Sequence, residues 1–231
     1  MTIGIIGAMD VEVTLLRQAM KNPVVTEISG IEFIQGELSG KDVVLARSGI
    51  GKVFAALCAQ TMIVKFGVTS VINSGVAGTL TDQLHILDVA VSRACVQHDM
   101  DTSPIGDPYG LLSGINVIEL PADKTMADTL VQVCREKSVN CRDGIIASGD
   151  QFVHTRERRD WISSQFKAIA VEMEAGAIAH VCYVNRVPFV SLRVISDEAS
   201  GEAKIDYLSF VQKAAAISSD ITMNWLKALP A

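Results

Sequence analysis

The sequence predicts a single α/β domain with a mixed, largely parallel central sheet flanked by helices. Two observations carry this prediction. First, short runs rich in valine and isoleucine alternate with longer stretches of helical period, a pattern typical of a parallel sheet with helices packed on its faces. Second, the 231 residues contain no Pro/Ser-rich linker, no charge run and no internal repeat. One domain covering residues 1–231 is therefore the economical interpretation.

The N-terminal part predicts a strand, a helix and a hairpin. The apolar run Ile3 to Ile6 reads as a strand, and it leads into a helix from about Val11 to Met20. Two alternating segments, Glu32 to Leu38 and Asp42 to Arg47, flank the turn pair Ser39-Gly40 and predict antiparallel strands.

The middle of the chain predicts a strong helix and three strands. Lys52 to Phe66 carries apolar residues at near-helical spacing. Strands are predicted at Ser70 to Asn73, Asp88 to Val91 and Asn116 to Leu120. Between the last two, residues 98–114 form an irregular stretch with two prolines. Loops of this length in a compact domain are usually functional.

The C-terminal part continues the alternation. Ala122 to Lys137 predicts an amphipathic helix, Glu174 to Val184 a second, and Tyr207 to Trp225 trace one face of a final helix. Three further apolar runs predict strands: Gly144 to Ala147, Ile169 to Val171 and Phe189 to Ile195.

Composition excludes several classes of protein. The net charge of -6 and the aromatic content of 5% disfavour nucleic acid as a partner, since that needs basic surfaces and stacking rings. The sequence shows neither an apolar window that could span a membrane nor a basic leader. The five cysteines have no CxxC pair and the four histidines are dispersed, so we expect reduced thiols, a cytoplasmic location and no metal.

Charged residues follow or interrupt the apolar runs at strand ends, where open α/β sheets bind ligands. Glu12 follows the first predicted strand, Glu172 and Glu174 the next-to-last, and Arg193 and Asp197 lie in and after the last. A cation among apolar residues is costly to bury alone, so we expect an anionic partner for Arg193, which can be Glu12, Glu172, Glu174 or Asp197. Two interpretations stay open: a structural ion pair, or a carboxylate-rich pocket for a polyhydroxylated ligand and acid/base chemistry.

Five segments together resemble the 5'-methylthioadenosine/S-adenosylhomocysteine nucleosidases and stand in that family's order: Gly4 to Glu12, Ser48 to Lys52, Ser148 to Val153, Val171 to Ala175 and Arg193 to Asp197. The likeness runs from the first strand to the final helix. It implies a purine nucleoside phosphorylase-like α/β fold and a homodimer. It also implies an adenine nucleoside as the small-molecule substrate, with no metal and no cofactor.

The resemblance implies roles around the sugar and the leaving group. Glu12 holds and activates the attacking water, and Glu174 takes the ribose hydroxyls with help from the backbone of Met173. Asp197 protonates the leaving adenine at N7, with Ser196 beside it. Neutralising the leaving group and placing water opposite it is what an oxocarbenium-like transition state requires.

The remaining implied contacts surround the adenine and the catalytic water. Phe152 stacks on the purine, and the backbone of Val153 reads its Watson–Crick edge. Arg193 sits near Glu12 and the water, as a catalytic residue. Ile50 and Tyr207 complete the predicted substrate-binding set within the chain.

Two departures from the family pattern bear on efficiency and specificity. Val76 stands where the family usually has serine, which removes a hydroxyl near the water or sugar and also weakens a phosphorylase interpretation. Ile105 replaces an aromatic residue in the 98–114 loop. In the family this loop reaches the partner subunit's pocket and covers the 5'-substituent, so Ile105 is a predicted substrate contact.

Three other functions remain as alternatives to a methylthioadenosine and adenosylhomocysteine nucleosidase. One is a nucleosidase for another 5'-modified adenosine, such as aminodeoxyfutalosine, and another is a nucleoside phosphorylase. The third is a non-catalytic nucleoside sensor, against which the joint presence of Glu12, Glu174 and Asp197 argues. A binding protein needs no acid and base together.

Overall fold

The described residues of the computed structural model, 1–199 and 203–230, form ten strands and six α-helices. The strands are β1 Thr2–Gly7, β2 Lys21–Ile28, β3 Ile31–Leu38, β4 Lys41–Arg47, β5 Ser70–Thr79, β6 Val89–Gln97, β7 Leu120–Pro121, β8 Cys141–Ser148, β9 Ala168–Glu172 and β10 Phe189–Asp197. The helices are α1 Asp10–Ala19, α2 Lys52–Phe66, α3 Lys124–Glu136, α4 Arg156–Phe166, α5 Ala175–Asn185 and α6 Ala203–Ala228.

All ten strands belong to one mixed sheet. Nine follow the order β10-β6-β8-β9-β5-β1-β4-β3-β2, β7 pairs with β6 outside this order, and β10 also pairs with β5. Parallel pairing builds two blocks, β4-β1-β5-β10 and β6-β8-β9. Antiparallel pairs join the blocks at β10–β6 and β5–β9 and add β2 and β3 at one edge. The predicted fold class is confirmed.

The sheet brings the ends of four strands to one region. Strands β1, β5 and β10 run parallel, so their carboxyl ends share an edge. Strand β9 meets the end of β5 in antiparallel register, with Val171 opposite Gly78. The charged residues that follow these strands are therefore neighbours in space, although they are far apart in the sequence.

The sequence pattern does not predict two of the observed elements, β2 and α4. Strand β2 is an edge strand with mostly exposed residues and a proline at position 23, so it has no apolar run. Helix α4 buries only Ile162 and Phe166, and an amphipathic period needs more buried positions than that to be visible.

The strand predicted at Asn116 to Leu120 is wrong except at Leu120. Asn116 has a left-handed φ of 55°, which an extended strand cannot contain. Its neighbour Val117 forms only an isolated bridge to Leu112, and β7 is two residues long. The preceding stretch, 98–114, is irregular as expected, apart from a 3₁₀ turn at Ser103–Ile105.

Helices cover both faces of the sheet and separate the core into two main clusters. On one side α1, α3 and α6 contribute Leu16, Leu130 and Trp225. On the other side α2 and α5 contribute Met62 and Ile178. None of the helices in the described ranges is both long and apolar enough to cross a membrane.

Trp225 is the largest fully buried side chain of the first cluster, and its indole N–H donates to the carbonyl of Met126 at 3.2 Å. We expect Trp225→Ala to lower the free energy of unfolding by about 3–5 kcal/mol, since it leaves a cavity between α6 and α3. Urea titration measures this. Leu208→Ala, on an exposed position of the same helix, is the control, and an equal loss in both variants would contradict the assignment of Trp225 to the core.

Candidate active site

A cavity of about 310 Å³ opens at the shared strand ends. Most residues predicted for the site line it: Glu12, Ile50, Phe152, Val153, Met173, Glu174, Ser196, Asp197 and Tyr207. Arg193 and Ile105 do not. Arg193 lies behind the cavity wall, and Ile105 is 82% exposed on the 98–114 loop.

The carboxylate of Glu12 accepts hydrogen bonds from backbone N–H groups of two segments, the one just before α1 and strand β5. Helix α1 starts directly after β1, so its first turn folds the Glu12 carboxylate back onto the N–H groups of Ala8 and Met9, at 2.7 and 2.9 Å. The other carboxylate oxygen accepts from the N–H of Val76 at 3.0 Å. Burial raises the pKa of Glu12, while the charge of Arg193 and these hydrogen bonds partly oppose the rise. The carboxylate is fixed in orientation and poised toward proton uptake.

Asp197 ends β10 at a register shift between Ile195 and Asp197. One carboxylate oxygen accepts from the N–H of Ala199 at 2.9 Å, and the other from the hydroxyl of Ser196 at 2.9 Å. Burial nevertheless raises the pKa of Asp197. A buried carboxyl with a raised pKa is suited to donate a proton near neutral pH.

Glu174 occupies the junction between β9 and α5, directly after Met173. Its carboxylate accepts from the N–H of Gly51 at 2.8 Å, which ties this junction to the start of α2. Burial, and next the charge of Glu172, raise the pKa of Glu174, and Arg193 works in the opposite direction. The carboxylate lines the cavity and can accept hydrogen bonds from hydroxyl groups there.

Arg193 forms a buried ion pair with Glu172 and also donates to the amide oxygen of Asn73. Glu174 is 3.9 Å away. The backbone of β5 comes so close that a Cβ on Gly75 would collide with both Arg193 and Glu12. The ion-pair interpretation is confirmed, and Glu172, the partner of Arg193, also lines the cavity together with Glu12 and Glu174. A role of this pocket in ligand binding and acid/base chemistry stays a prediction.

Two aromatic rings stand at the cavity mouth. Phe152 is 45% exposed and packs edge-to-face on Tyr207, with ring centroids 5.8 Å apart. The Tyr207 hydroxyl contacts the sulfur of Met9 at 3.0 Å. One ring comes from the loop after β8 and the other from α6, so a planar ligand entering here meets groups from two separate elements.

Several groups that build the site have contacts that the sequence did not identify. Glu172 lines the cavity and, besides pairing with Arg193, accepts from the N–H groups of Glu174 and Ala175, both at 2.9 Å, and from the hydroxyl of Ser148. Asn73 donates to the carbonyl of Ile6 at 2.9 Å. Polar residues inside apolar runs were the available signal, but their partners lie on other strands.

The match to known proteins covers nearly the whole chain. The model of the phosphorylase superfamily matches residues 2–227. A 5'-methylthioadenosine/S-adenosylhomocysteine nucleosidase of Anoxybacillus flavithermus is 40% identical over 227 residues, which is 96% of each chain.

Solved structures agree in backbone geometry. A nucleosidase of the same name from Neisseria meningitidis, in complex with methylthio-immucillin-A, is 36% identical and superposes with a TM-score of 0.95, covering 99% of both chains. A futalosine hydrolase of Helicobacter pylori is 37% identical with a TM-score of 0.95 and covers 99% of this chain and 98% of its own. The chain therefore belongs to the phosphorylase superfamily and, within it, to the family of 5'-methylthioadenosine/S-adenosylhomocysteine nucleosidases.

The raised pKa of Glu174 makes stability depend on pH. A carboxyl whose pKa is higher in the folded state contributes stability below the unfolded pKa, and that contribution is lost as pH rises through the folded pKa. We expect the Tm of Glu174→Gln, relative to that of the parent, to increase as the pH rises from about 5 to about 9. The reason is that the amide stays neutral and still accepts a hydrogen bond from Gly51.

Differential scanning calorimetry across this pH range measures the difference in Tm. Glu136→Gln, on the exposed face of α3, controls for the chemical change itself. A Tm difference that stays flat over the whole range would contradict a raised pKa at Glu174.

Proposed function

We propose that this chain hydrolyses the N-glycosidic bond of 5'-methylthioadenosine and S-adenosylhomocysteine, releasing adenine and a thioribose. The observation that carries the proposal is the placement of Glu12, Glu174 and Asp197, all buried, around one cavity. Each has a raised pKa. A binding protein needs no such set, whereas glycoside hydrolysis needs a base and an acid on opposite sides of the bond.

On the sugar side, Glu12 holds the attacking water and takes its proton. Three backbone N–H groups fix the direction of this carboxylate, so it needs no reorganisation during the reaction. Glu174 binds the ribose hydroxyls, and the backbone of Met173 assists. Arg193 does not touch substrate in this proposal but positions Glu172 and moderates the charge of Glu12.

On the base side, Asp197 delivers a proton to N7 of adenine as the bond to the sugar breaks. Ser196, hydrogen-bonded to Asp197, orients the carboxyl group. Phe152 stacks on the purine, and the backbone of Val153 pairs with its Watson–Crick edge. Tyr207 and Ile50 contact the 5' part of the substrate.

Water rather than phosphate fits the nucleophile's side of the cavity. Among the described residues that line the cavity there is no lysine, arginine or histidine, and a phosphate would face the carboxylate of Glu12. Val76 adds a methyl surface where a hydroxyl could have donated. These features favour hydrolysis over phosphorolysis.

A second substrate deserves a direct test. The similar Helicobacter pylori structure is named a futalosine hydrolase, and the 5' end is where this chain departs from the family, at Ile105. A 5'-modified adenosine such as aminodeoxyfutalosine is therefore the alternative substrate. It would use the same carboxylates and differ only in the 5' contacts.

One product assay separates the candidate functions. The protein is incubated with 5'-methylthioadenosine, with and without phosphate, and in parallel with S-adenosylhomocysteine and aminodeoxyfutalosine. We expect phosphate-independent release of adenine and a free thioribose. A sugar 1-phosphate would identify a phosphorylase, binding without release a sensor, and a higher kcat/KM for aminodeoxyfutalosine the alternative nucleosidase.

Replacing the acid gives the sharpest mutational test. Asp197→Asn can still accept from the N–H of Ala199 but cannot supply a proton, so we expect a folded protein with turnover reduced by about 10²–10⁴-fold. Asp220→Asn, on the exposed side of α6, is the matched control with parental turnover. Adenine release at the parental rate by a folded Asp197→Asn protein would remove the assignment.

We further propose a homodimer in which loop 98–114 lies near the partner's cavity. The outward face of α2 exposes a row of apolar residues, Val53, Phe54, Leu57 and Val64, with Val53 72% exposed. Ile105 is exposed as well. An apolar helix face of this kind is typical of a protein interface, and it begins next to Ile50 at the cavity mouth.

Charge on this face tests the dimer. We expect Leu57→Glu to convert the protein to a monomer in sedimentation velocity, because the carboxylate would be buried without a partner. KM for 5'-methylthioadenosine should rise as the partner's loop is lost. Val24→Glu, also at an exposed apolar position but on edge strand β2, is the control. A monomeric parent protein, or an unchanged assembly of Leu57→Glu, would contradict the proposal.

The proposal includes a cytoplasmic location. All five cysteines are free thiols, and four of them are buried. Free thiols are the usual state in a reducing compartment such as the cytoplasm.

A further inference from the structure

A polar network outside the cavity joins three loops that surround it. The ammonium group of Lys52 pairs with Asp99 at 2.6 Å and donates to Gln97 at 3.2 Å. The second oxygen of Asp99 accepts from the N–H of Asp150 at 2.9 Å. The carboxylate of Asp150 in turn accepts from the N–H of Lys52 at 2.8 Å. The three residues thus form a closed ring of contacts between the start of α2, the end of β6 and the loop after β8.

The ring is attached to the cavity at two points. Gly51, next to Lys52, donates its N–H to Glu174 at 2.8 Å. Asp150 directly precedes residues 151–153, which line the cavity. Gly51 has a φ of 96°, and a Cβ there would lie 2.9 Å from the Asp150 carboxylate. The left-handed φ favours glycine here, and a side chain at this position would also displace the Asp150 carboxylate.

The network also completes the start of α2. Gly51 is the N-cap of this helix and has no side chain to satisfy the first N–H groups. Asp150 supplies the missing acceptor and a negative charge at the positive end of the helix dipole. Although burial opposes it, the hydrogen bonds from Lys52 and from the Asp150 backbone hold the pKa of Asp99 below its usual value. Asp99 thus stays charged at neutral pH.

We propose that Lys52, Asp99 and Asp150 are positioning residues that hold the ribose-binding carboxylate of Glu174 in register with the adenine-binding loop 151–153. The inference rests on the proposed function for its kinetic readout. The ring touches neither sugar nor base; it fixes the distance between the groups that do. Its loss weakens binding of substrate and transition state alike, which raises KM more than it lowers kcat.

The test compares two substitutions at one position with a matched cap elsewhere. Asp150→Ala removes the acceptor for Lys52, and we expect KM for 5'-methylthioadenosine to rise about tenfold with kcat within about threefold. Asp150→Asn keeps that acceptor and should restore KM to within about twofold of the parent. Asp123→Ala removes a comparable cap from α3, where Asp123 accepts from Met126 at 2.9 Å; its KM should not change.

Hydrogen exchange of the peptide covering residues 48–55 is measured in the same proteins and needs no activity. The amides of Gly51 and Lys52 should exchange faster in Asp150→Ala and in Asp99→Asn, but not in Asp123→Ala. If the parent releases no adenine, the proposed function is wrong, but the exchange data still test whether Lys52, Asp99 and Asp150 hold the start of α2 in place. Unchanged exchange and KM in Asp150→Ala, or equal defects in Asp150→Asn, would overturn the inference.

Discussion

The buried guanidinium of Arg193 is the group on which the rest of the site depends. It is 1% exposed and faces Glu172, Glu174 and Glu12, whose charges act on it in that order. Carboxylates taken out of water this close together would repel one another and favour their protonated forms. One shared cation lets several of them be buried together, and Glu172 anchors that cation to the junction between β9 and α5.

The three carboxylates of the cavity differ in the number and the source of the groups that donate hydrogen bonds to them. Glu12 receives three N–H groups, two from the segment after β1 and one from β5, whereas Glu174 receives one from Gly51. Asp197 receives an N–H and a hydroxyl from its own strand end and does not share Arg193. Burial raises the pKa of all three, but each carboxyl has its own set of hydrogen-bond partners, and such differences in environment are how acid and base roles arise within one cavity.

Much of the fold could be predicted because burial and periodicity agree. Helix α3, Lys124–Glu136, lies within the predicted bounds Ala122 to Lys137, because the side chains that it buries, among them Met126, Leu130 and Val133, recur at helical spacing. Strand β2 and helix α4 were missed because they lie at the surface and bury few side chains. Asn116 broke a predicted strand through a backbone conformation that apolar patterning does not encode.

The sequence by itself determined the α/β class, the family and the identities of the charged residues at strand ends. Only the tertiary structure decided their partners: that Arg193 pairs with Glu172 behind the cavity wall, that Ile105 stays outside its own chain's cavity, and that Asp150 caps α2. The reason is physical. Local pattern reports which side chains are buried, whereas a partner is chosen by strand register and loop approach, which join residues from distant parts of the chain.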